Sequence, residues 1–315
     1  MGEAFRSPLR GHSPGMAAVG WEAGGVDPDA PAADTVPAAD TAPATHTAPE
    51  GLADLPEPAD DLDLALRLAD IADAITLDRF RASDLRVTRK PDRTPVTDAD
   101  TATEDALRAV LGHERPGDAV LGEERGGEVA DNGRGWVLDP IDGTKNYSRG
   151  VPVWATLIAL TVRGRAVVGV VSAPALGRRW WAASGRGAWA SERGGAQRRI
   201  SVSGVADLAD AYLSTTDFRV FTQEGELDRW LALADACGET RALGDFWQHV
   251  LVAEGAIDLA VDRSASAWDL AAPAAIVVEA GGRLTDLTGA DTHDGGSAVT
   301  SNARLHDAAL QHLRR

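Results

Sequence analysis

Apolar residues recur every three to four positions over residues 61–81, which predicts an amphipathic helix whose buried stripe begins at Leu64. A polar stretch over residues 88–95 is interpreted as a loop. A second helix is predicted to begin near Asp98, with Leu107 on its apolar face. The ordered part of the chain therefore opens with a pair of helices.

From residue 119 onward the pattern changes to short apolar runs separated by turns, which is typical of strands. The predicted strands are 119–121, 136–138, 153–162, 166–172, 178–183 and 187–190. Because the turns between them are short, we expect a largely antiparallel sheet. Trp180 and Trp181 alternate on one strand, so one is expected in the core and the other nearer to solvent.

After residue 201 strands and helices alternate, as in an α/β layer. The predicted order is strand 211–214, helix 222–237, strand 240–243, helix 245–254, strand 257–261, helix 269–280, strands 283–286 and 298–300, and a helix capped by Asn302. A meander followed by an α/β half predicts an α+β protein of stacked helix and sheet layers. We expect one domain over residues 59–315, divided into halves 59–200 and 201–315.

The segment 1–58 differs from the rest because it is rich in Ala, Pro, Gly, Thr and Asp. Such a segment has too little apolar surface to offset the entropy of ordering, so it is predicted to be a disordered tail. The net charge of the chain is −17. This acidity argues against nucleic acid as a partner, because that binding depends on Lys and Arg meeting phosphates. A small phosphorylated metabolite remains compatible if bound cations offset the charge.

Cysteine content and hydropathy indicate the expected compartment. Cys237 is the only cysteine, so there is no intramolecular disulfide, which suits a reducing cytoplasm. No apolar run approaches the ~20 residues of a membrane span. The N-terminus lacks the basic and apolar segments of a secretory signal. We therefore expect a cytoplasmic protein without membrane partners.

Candidate chemistry concentrates where the strand predicted at residues 136–138 ends. Asp139 and Asp142 follow that apolar run, with Pro140 between them and Gly143 and Thr144 directly after. Aspartates at this place are costly to bury without a cation or hydrogen-bond donors. Carboxylate oxygens are the ligands of hard cations such as Mg²⁺. The turn is therefore interpreted as a metal centre.

Two further acids, Glu123 and Asp269, fit the same site, although in isolation a solvated loop acid is the better interpretation of Glu123 and a helix N-cap the better interpretation of Asp269. With several carboxylates and no matching histidine cluster, Mg²⁺ or Mn²⁺ is favoured over Zn²⁺. Two cations about 4 Å apart would share a phosphate oxygen and activate a water. Glu123 with Thr144 would orient that water, and the N–H groups of Gly143 and Thr144 would bind the phosphate if a helix begins there.

Three segments resemble the signatures of the inositol monophosphatase family. They are Leu-Gly-Glu-Glu at 121–124, Asp-Pro-Ile-Asp-Gly-Thr-Lys-Asn-Tyr at 139–147, and Trp-Asp-Leu-Ala-Ala-Pro at 268–273 followed by Glu-Ala-Gly-Gly at 279–282. The resemblance runs from about Leu62 to the C-terminus. It implies the layered α-β-α-β-α sandwich of that family, a lithium-sensitive phosphatase with two or three Mg²⁺ ions, and a homodimer.

The resemblance also implies roles for individual residues. The implied metal ligands are Glu123, Asp139, the Ile141 carbonyl, Asp142 and Asp269. Catalysis is assigned to Glu123, Thr144 and Asp142, phosphate contact to Gly143 and Thr144, a position near the metals to Lys90, and an outer position to Asp100. An ordinary loop lysine is an equally good interpretation of Lys90, and helix capping is the better interpretation of Asp100.

The substrate is indicated by the residues after the metal turn. Lys145 replaces a threonine common in inositol phosphatases, and segments 146–157 and 173–182 resemble the histidinol-phosphate phosphatase branch of actinobacterial type. Histidinol phosphate carries an amine and an imidazole, which favour carboxylates and aromatic faces. Asp245, Trp247 and Asp262 are therefore candidate pocket residues.

The expected reaction is hydrolysis of L-histidinol phosphate to L-histidinol and phosphate. Inositol 1-phosphate and 3′-phosphoadenosine 5′-phosphate are the alternative substrates. A non-enzymatic metal-dependent regulator is the alternative of another class. Glu123 and Thr144 argue against it, since binding alone needs no activated water.

Overall fold

The computed structural model of this protein describes residues 58–91 and 94–314. The described residues belong to one compact unit. The segment predicted to be disordered, residues 1–58, lies outside the described residues except for Pro58. Among the helices of the described ranges, none is long and apolar enough to cross a bilayer. The division of the domain at residue 200 stays a prediction.

The first elements are two helices with a hairpin between them. They are α1 (Pro58–Arg79), β1 (Val87–Arg89), β2 (Pro95–Thr97) and α2 (Asp98–Glu114). Both predicted helices are confirmed. The loop predicted at residues 88–95 is wrong in part, because β1 and β2 pair antiparallel there. The three residues of β1 are exposed, so backbone pairing forms this hairpin without an apolar pattern that the sequence could reveal.

A seven-stranded sheet follows. Its elements in chain order are β3 (Ala119–Gly122), β4 (Arg134–Asp142), α3 (Thr144–Tyr147), β5 (Ala155–Val162), β6 (Arg165–Ala173), the 3₁₀ helix Pro174–Leu176, β7 (Arg178–Ala183), β8 (Ala188–Glu192) and β9 (Arg198–Ile200). The strands lie side by side in chain order. All neighbours from β4 to β9 pair antiparallel, as predicted. β3 instead runs parallel to β4.

The second half forms a five-stranded mixed sheet with helices. Its elements are the 3₁₀ helix Leu208–Asp210, β10 (Tyr212–Thr215), α4 (Arg219–Gln223), α5 (Leu227–Ala236), β11 (Glu239–Arg241), α6 (Asp245–Ala253), β12 (Leu259–Asp262), α7 (Ala267–Glu279), β13 (Arg283–Thr285), β14 (Ala298–Ser301) and α8 (His306–Arg314). The strand order is β11-β10-β12-β14-β13. The helix predicted over residues 222–237 is two helices, since the chain turns at Gly225.

The hydrophobic clusters show the order of the layers. One face of the large sheet packs on α1 and α2 through residues such as Leu68 and Trp136. The other face packs on α6 and α7 through residues such as Phe246 and Ile276. Helix α6 also contacts the small sheet, whose far face is covered by α5 and α8. The order α-β-α-β-α confirms the predicted layered α+β sandwich.

Helices cover both faces of the large sheet, and this determines the burial of its tryptophans. Trp180 and Trp181 point to opposite faces, as the alternation predicts, but both are buried. Trp180 belongs to the cluster with α6 and α7, and Trp181 to the cluster with α1 and α2. The expectation that one of them lies nearer to solvent is therefore wrong.

Candidate metal centre

Strand β4 carries the first two carboxylates into the interior between the layers. Its pairing with β5 is regular up to Asp139 and then shifts by one residue before Asp142, which marks a bulge. Bulges re-aim side chains at the ends of strands. Asp139 Oδ1 accepts a hydrogen bond from the Ile141 N–H at 2.9 Å, and Asp142 Oδ2 accepts one from the Phe246 N–H at 2.6 Å. Both aspartates are buried.

The third carboxylate comes from the first turn of α7. Asp269 Oδ2 accepts from the Ser266 N–H at 2.7 Å and completes a capping box. The N-cap of α7 is Ser266, so the predicted N-cap position of Asp269 is wrong, and Asp269 is the third residue of the helix. Asp139, Asp142 and Asp269 each place one carboxylate oxygen within 4.8 Å of the others. The cap therefore also aims this side chain at the end of β4.

These carboxylates repel one another where little water is present. Burial raises the pKa of Asp139 and Asp142 well above the ordinary value, and the neighbouring acids raise it further. Burial, with Glu123 and other acids adding to it, raises the pKa of Asp269 to about 7. Three clustered carboxylates with unfavourable like charge, two of them buried and Asp269 partly buried, fit a hard divalent cation, which would replace repulsion with attraction.

Glu123 lies beside this cluster without belonging to the group of three. Its N–H donates to the Leu138 carbonyl at 3.1 Å, so the residue directly extends the pairing of β3 with β4. Its negative charge contributes to the raised pKa of Asp139 and of Asp269, which places the carboxylate near both. The structure thus brings the loop after β3 to the end of β4.

Lys90 follows β1 and reaches the same loop. Its Nζ lies 2.7 Å from Glu123 Oε1 and 2.8 Å from Glu124 Oε1. Burial lowers the pKa of Lys90, but its hydrogen bonds to the two glutamates outweigh that effect and raise it. Lys90 is therefore paired with two glutamates of the loop after β3, and its position near a metal stays a prediction.

Thr144 begins α3 directly after Gly143, whose φ of 81° is the left-handed conformation that favours glycine. The Thr144 hydroxyl lies 2.9 Å from the Ile141 carbonyl and 3.2 Å from Asp100 Oδ1. Asp100 Oδ2 accepts from the Thr97 N–H at 2.8 Å, which confirms its predicted capping role. Burial raises the pKa of Asp100 to about 7.

The candidate pocket residues come from α6 and β12. Asp245 starts α6 with a φ of 49°, an uncommon conformation for a residue other than glycine. Its Oδ2 accepts from Asn146 Nδ2 at 3.2 Å. Burial, and then the charge of Asp262, raises the pKa of Asp245 to about 6. Trp247 is partly buried against the core cluster of the large sheet.

Asp262 ends β12 and is buried rather than solvated. Its Oδ2 lies 2.8 Å from Gln248 Nε2 and 3.0 Å from His249 Nε2, and its Oδ1 accepts from the Thr216 N–H at 3.3 Å. His249 Nδ1 lies 2.9 Å from the Thr300 hydroxyl. If Nε2 carries the proton, Nδ1 accepts from that hydroxyl.

Sequence reasoning did not identify Gln248 and His249 as part of the site. The available signal was a polar pair inside an otherwise apolar helix, three and four residues after Asp245. It did identify every acid of the cluster.

The chain is similar to known proteins of one family. Residues 58–315 match the model of the inositol monophosphatase family. A histidinol-phosphatase of Mycobacterium tuberculosis is 56% identical over 254 residues, which are 81% of this chain and 98% of that protein. A histidinol-phosphatase of Streptomyces coelicolor is 51% identical over 264 residues, 82% of this chain and 98% of that protein. An inositol monophosphatase structure from Zymomonas mobilis superposes with a TM-score of 0.72 at 34% identity, covering 83% of this chain and 100% of that one.

The fold and site define a metal-dependent phosphoric monoester hydrolase. The chain belongs to the inositol monophosphatase family, which confirms the resemblance noted in its signatures.

Proposed function

We propose that this enzyme hydrolyses L-histidinol phosphate to L-histidinol and inorganic phosphate. The observation that carries the substrate is the position of Asp245. This partly buried carboxylate lies at the start of α6, close enough to Asp142 that its charge contributes to the raised pKa of Asp142. An acid at this distance from a phosphate site suits a substrate with a cationic amine. The two histidinol-phosphatases similar to this chain support the same substrate.

The metal ligands in this proposal are Glu123, Asp139, the Ile141 carbonyl, Asp142 and Asp269. An oxygen-only set favours Mg²⁺, two or three ions per site, with Mn²⁺ as a substitute. Bound cations would offset the charge of the phosphate and lower the pKa of a water. The clustered carboxylates with raised pKa values support this assignment.

The attacking water is oriented and deprotonated by Thr144, Glu123 and Asp100. The Thr144 hydroxyl and the Glu123 carboxylate orient it. Its proton passes through Thr144 Oγ1 to Asp100 Oδ1, 3.2 Å away, whose pKa of about 7 suits proton acceptance near neutrality. The water oxygen bonds to phosphorus, the ester P–O bond breaks, and the leaving alcohol oxygen takes a proton from solvent.

The phosphate and the alcohol are held by different elements. The N–H groups of Gly143 and Thr144 face the phosphate, and Lys90 supplies positive charge beside Glu123. Asp245 pairs with the amine, Asp262 bounds the pocket, and Trp247 offers an aromatic face to the imidazole.

A direct test compares turnover of three phosphomonoesters with Mg²⁺ and the purified protein: histidinol phosphate, inositol 1-phosphate and 3′-phosphoadenosine 5′-phosphate. We expect kcat/KM to be highest for histidinol phosphate. A higher value for inositol 1-phosphate would reject the proposed substrate, and no phosphate release from any of them would reject the proposed activity.

Three further properties belong to the proposal. Inhibition by lithium and a homodimer whose partner completes the pocket are supported by family membership. A cytoplasmic location is supported by the single free Cys237. Phosphate release with added LiCl and a sedimentation measurement test the first two.

A further inference from the structure

Glu104 is a fully buried acid on α2 that takes no part in the mechanism above. Its Oε2 accepts a hydrogen bond from the Glu124 N–H at 2.7 Å, and its Oε1 accepts one from the Arg125 N–H at 3.1 Å. The side chain of one helix thus holds two consecutive N–H groups of the loop after β3. Glu123 directly precedes these two residues.

Arg108, one turn further along α2, holds the other side of the same loop. Its Nε donates to Glu104 Oε1 at 2.7 Å, which neutralises the buried charge. Its Nη1 donates to the Val120 carbonyl at 3.4 Å, and its Nη2 donates to the Gly126 carbonyl. Glu104 therefore binds the donors of the loop and Arg108 binds its acceptors.

The loop itself is closed and leaves no free space around Glu104. Gly122 and Gly126 exchange two backbone hydrogen bonds, each of 3.0 Å. A Cβ placed on Gly122 would lie 2.1 Å from Glu104 Oε1, so the contact between Glu104 and the loop requires glycine at this position. Glycine is thus required in the Leu-Gly-Glu-Glu segment because Glu104 approaches closely, and not because of the backbone conformation of residue 122.

We propose that Glu104 is a positioning residue that sets the place of Glu123 against the Asp139–Asp142–Asp269 cluster. The backbone of Glu123 is held on one side by its bond to Leu138 and on the other by the bond from Glu124 to Glu104. These two hydrogen bonds hold the N–H groups of consecutive residues, Glu123 and Glu124. Loss of the bond to Glu104 therefore displaces the Glu123 carboxylate. The inference rests on the proposed metal role of Glu123.

The test separates positioning from plain structural support. In Glu104→Gln one of the two acceptor oxygens is replaced by an NH₂ group, which is only a donor. The amide oxygen can accept from one loop N–H group, and the NH₂ group repels the other. Loss of an outer partner of a metal ligand typically weakens metal binding by about 10- to 100-fold. We expect Mn²⁺ affinity, followed by EPR of the free ion, to fall by about tenfold or more. The Mg²⁺ concentration for half-maximal turnover rises in parallel, while KM at saturating Mg²⁺ changes by less than about threefold.

Asp105→Asn is the matched control. Asp105 is the next residue of α2 and pairs with Arg125 of the same loop, but through exposed side chains. Because exposed pairs contribute little, its Mn²⁺ affinity should stay within about twofold of wild type. A loss equal to that of Glu104→Gln would contradict the proposal.

Gly122→Ala tests the contact between Glu104 and the loop without changing any charge. It provides a second test of the proposal if Glu104→Gln does not fold. The added methyl must displace the Glu104 carboxylate, so we expect the same fall in Mn²⁺ affinity. Wild-type affinity in a folded Gly122→Ala or Glu104→Gln protein, even with a lowered melting temperature, would overturn the positioning role. Absence of turnover by the wild type would instead reject the proposed function and leave the Mn²⁺ comparison valid.

Discussion

The end of β4 and the end of β12 both carry buried aspartates, but the two groups are satisfied differently. In the part of the chain that the structure describes, Asp139, Asp142 and Asp269 each accept one hydrogen bond. Asp262 receives three, from Thr216, Gln248 and His249. The first group combines mutual repulsion with few donors, and the second acid is held by the protein itself.

This difference separates two uses of a buried carboxylate. An acid with few donors gains most from a cation, because a charge without partners is costly to bury. An acid with three donors already has a fixed orientation and shapes a pocket. Asp245 is intermediate, since it accepts from Asn146 and keeps capacity for another donor such as a substrate amine.

The largest expected effect comes from Asp142→Asn. An amide is a poor ligand for a hard cation, so phosphate release should fall by about a thousandfold or more. The melting temperature of the metal-free variant should equal or exceed that of wild type, because a repelled buried charge has been removed. Asp228→Asn, an exposed acid on α5, should change neither quantity. Near-wild-type turnover of Asp142→Asn would refute its assignment as a ligand.

The stability of the metal-free protein should depend on pH in an unusual direction. The pKa of Asp269 is raised from 3.8 to about 7 in the folded state, so folding favours its protonated form. Its contribution is therefore present below pH 3.8 and is lost as pH rises towards 7, by an amount on the order of 4 kcal/mol.

Mg²⁺ should reverse this dependence, because it binds the deprotonated acids. Thermal melts with and without Mg²⁺ at pH 5 and pH 8 measure the effect. The gain in melting temperature from Mg²⁺ should be larger at pH 8, and an equal gain at both values would contradict the electrostatic account.

Asp245→Asn tests the role of the pocket carboxylate. Losing a charge-assisted contact to the amine should reduce kcat/KM for histidinol phosphate by about 10- to 100-fold. Turnover of inositol 1-phosphate, which has no amine, provides the internal control. Equal losses on both substrates would show that Asp245 acts on the metal cluster rather than on the amine.

The smallest effect is expected from His249→Gln. The amide retains one donor towards Asp262 but fits the buried site less well, so unfolding free energy should fall by about 1–3 kcal/mol. KM should rise a few-fold with kcat nearly unchanged, since Asp262 orients substrate without touching the water. A large loss of kcat with unchanged KM would place His249 in the chemistry instead.

Much of the metal site was predictable because its residues are close in sequence. Asp139, Asp142, Gly143 and Thr144 lie within six positions, so a strand end and a turn are enough to bring them together. The place of Asp269 at the start of α7 was predictable for the same local reason. The role of Lys90 was ambiguous from the sequence, because the hairpin of β1 and β2 beside it forms through backbone pairing rather than through an apolar pattern.

Contacts between distant segments could not be read from local spacing. The Thr144 hydroxyl meets Asp100 across 44 positions, and His249 meets Thr300 across 51. The burial of both Trp180 and Trp181 also depends on helices that are remote in sequence.

The chemistry of the candidate site was predictable from the sequence, because the types and the order of its acids are local information. Which acids cluster and which are held by hydrogen-bond donors depends instead on the tertiary structure. Packing of α6 and α7 between the two sheets brings Asp245 and Asp269 close to the aspartates at the end of β4, and burial there raises the pKa of both acids. That distribution of burial and donors depends on long-range packing.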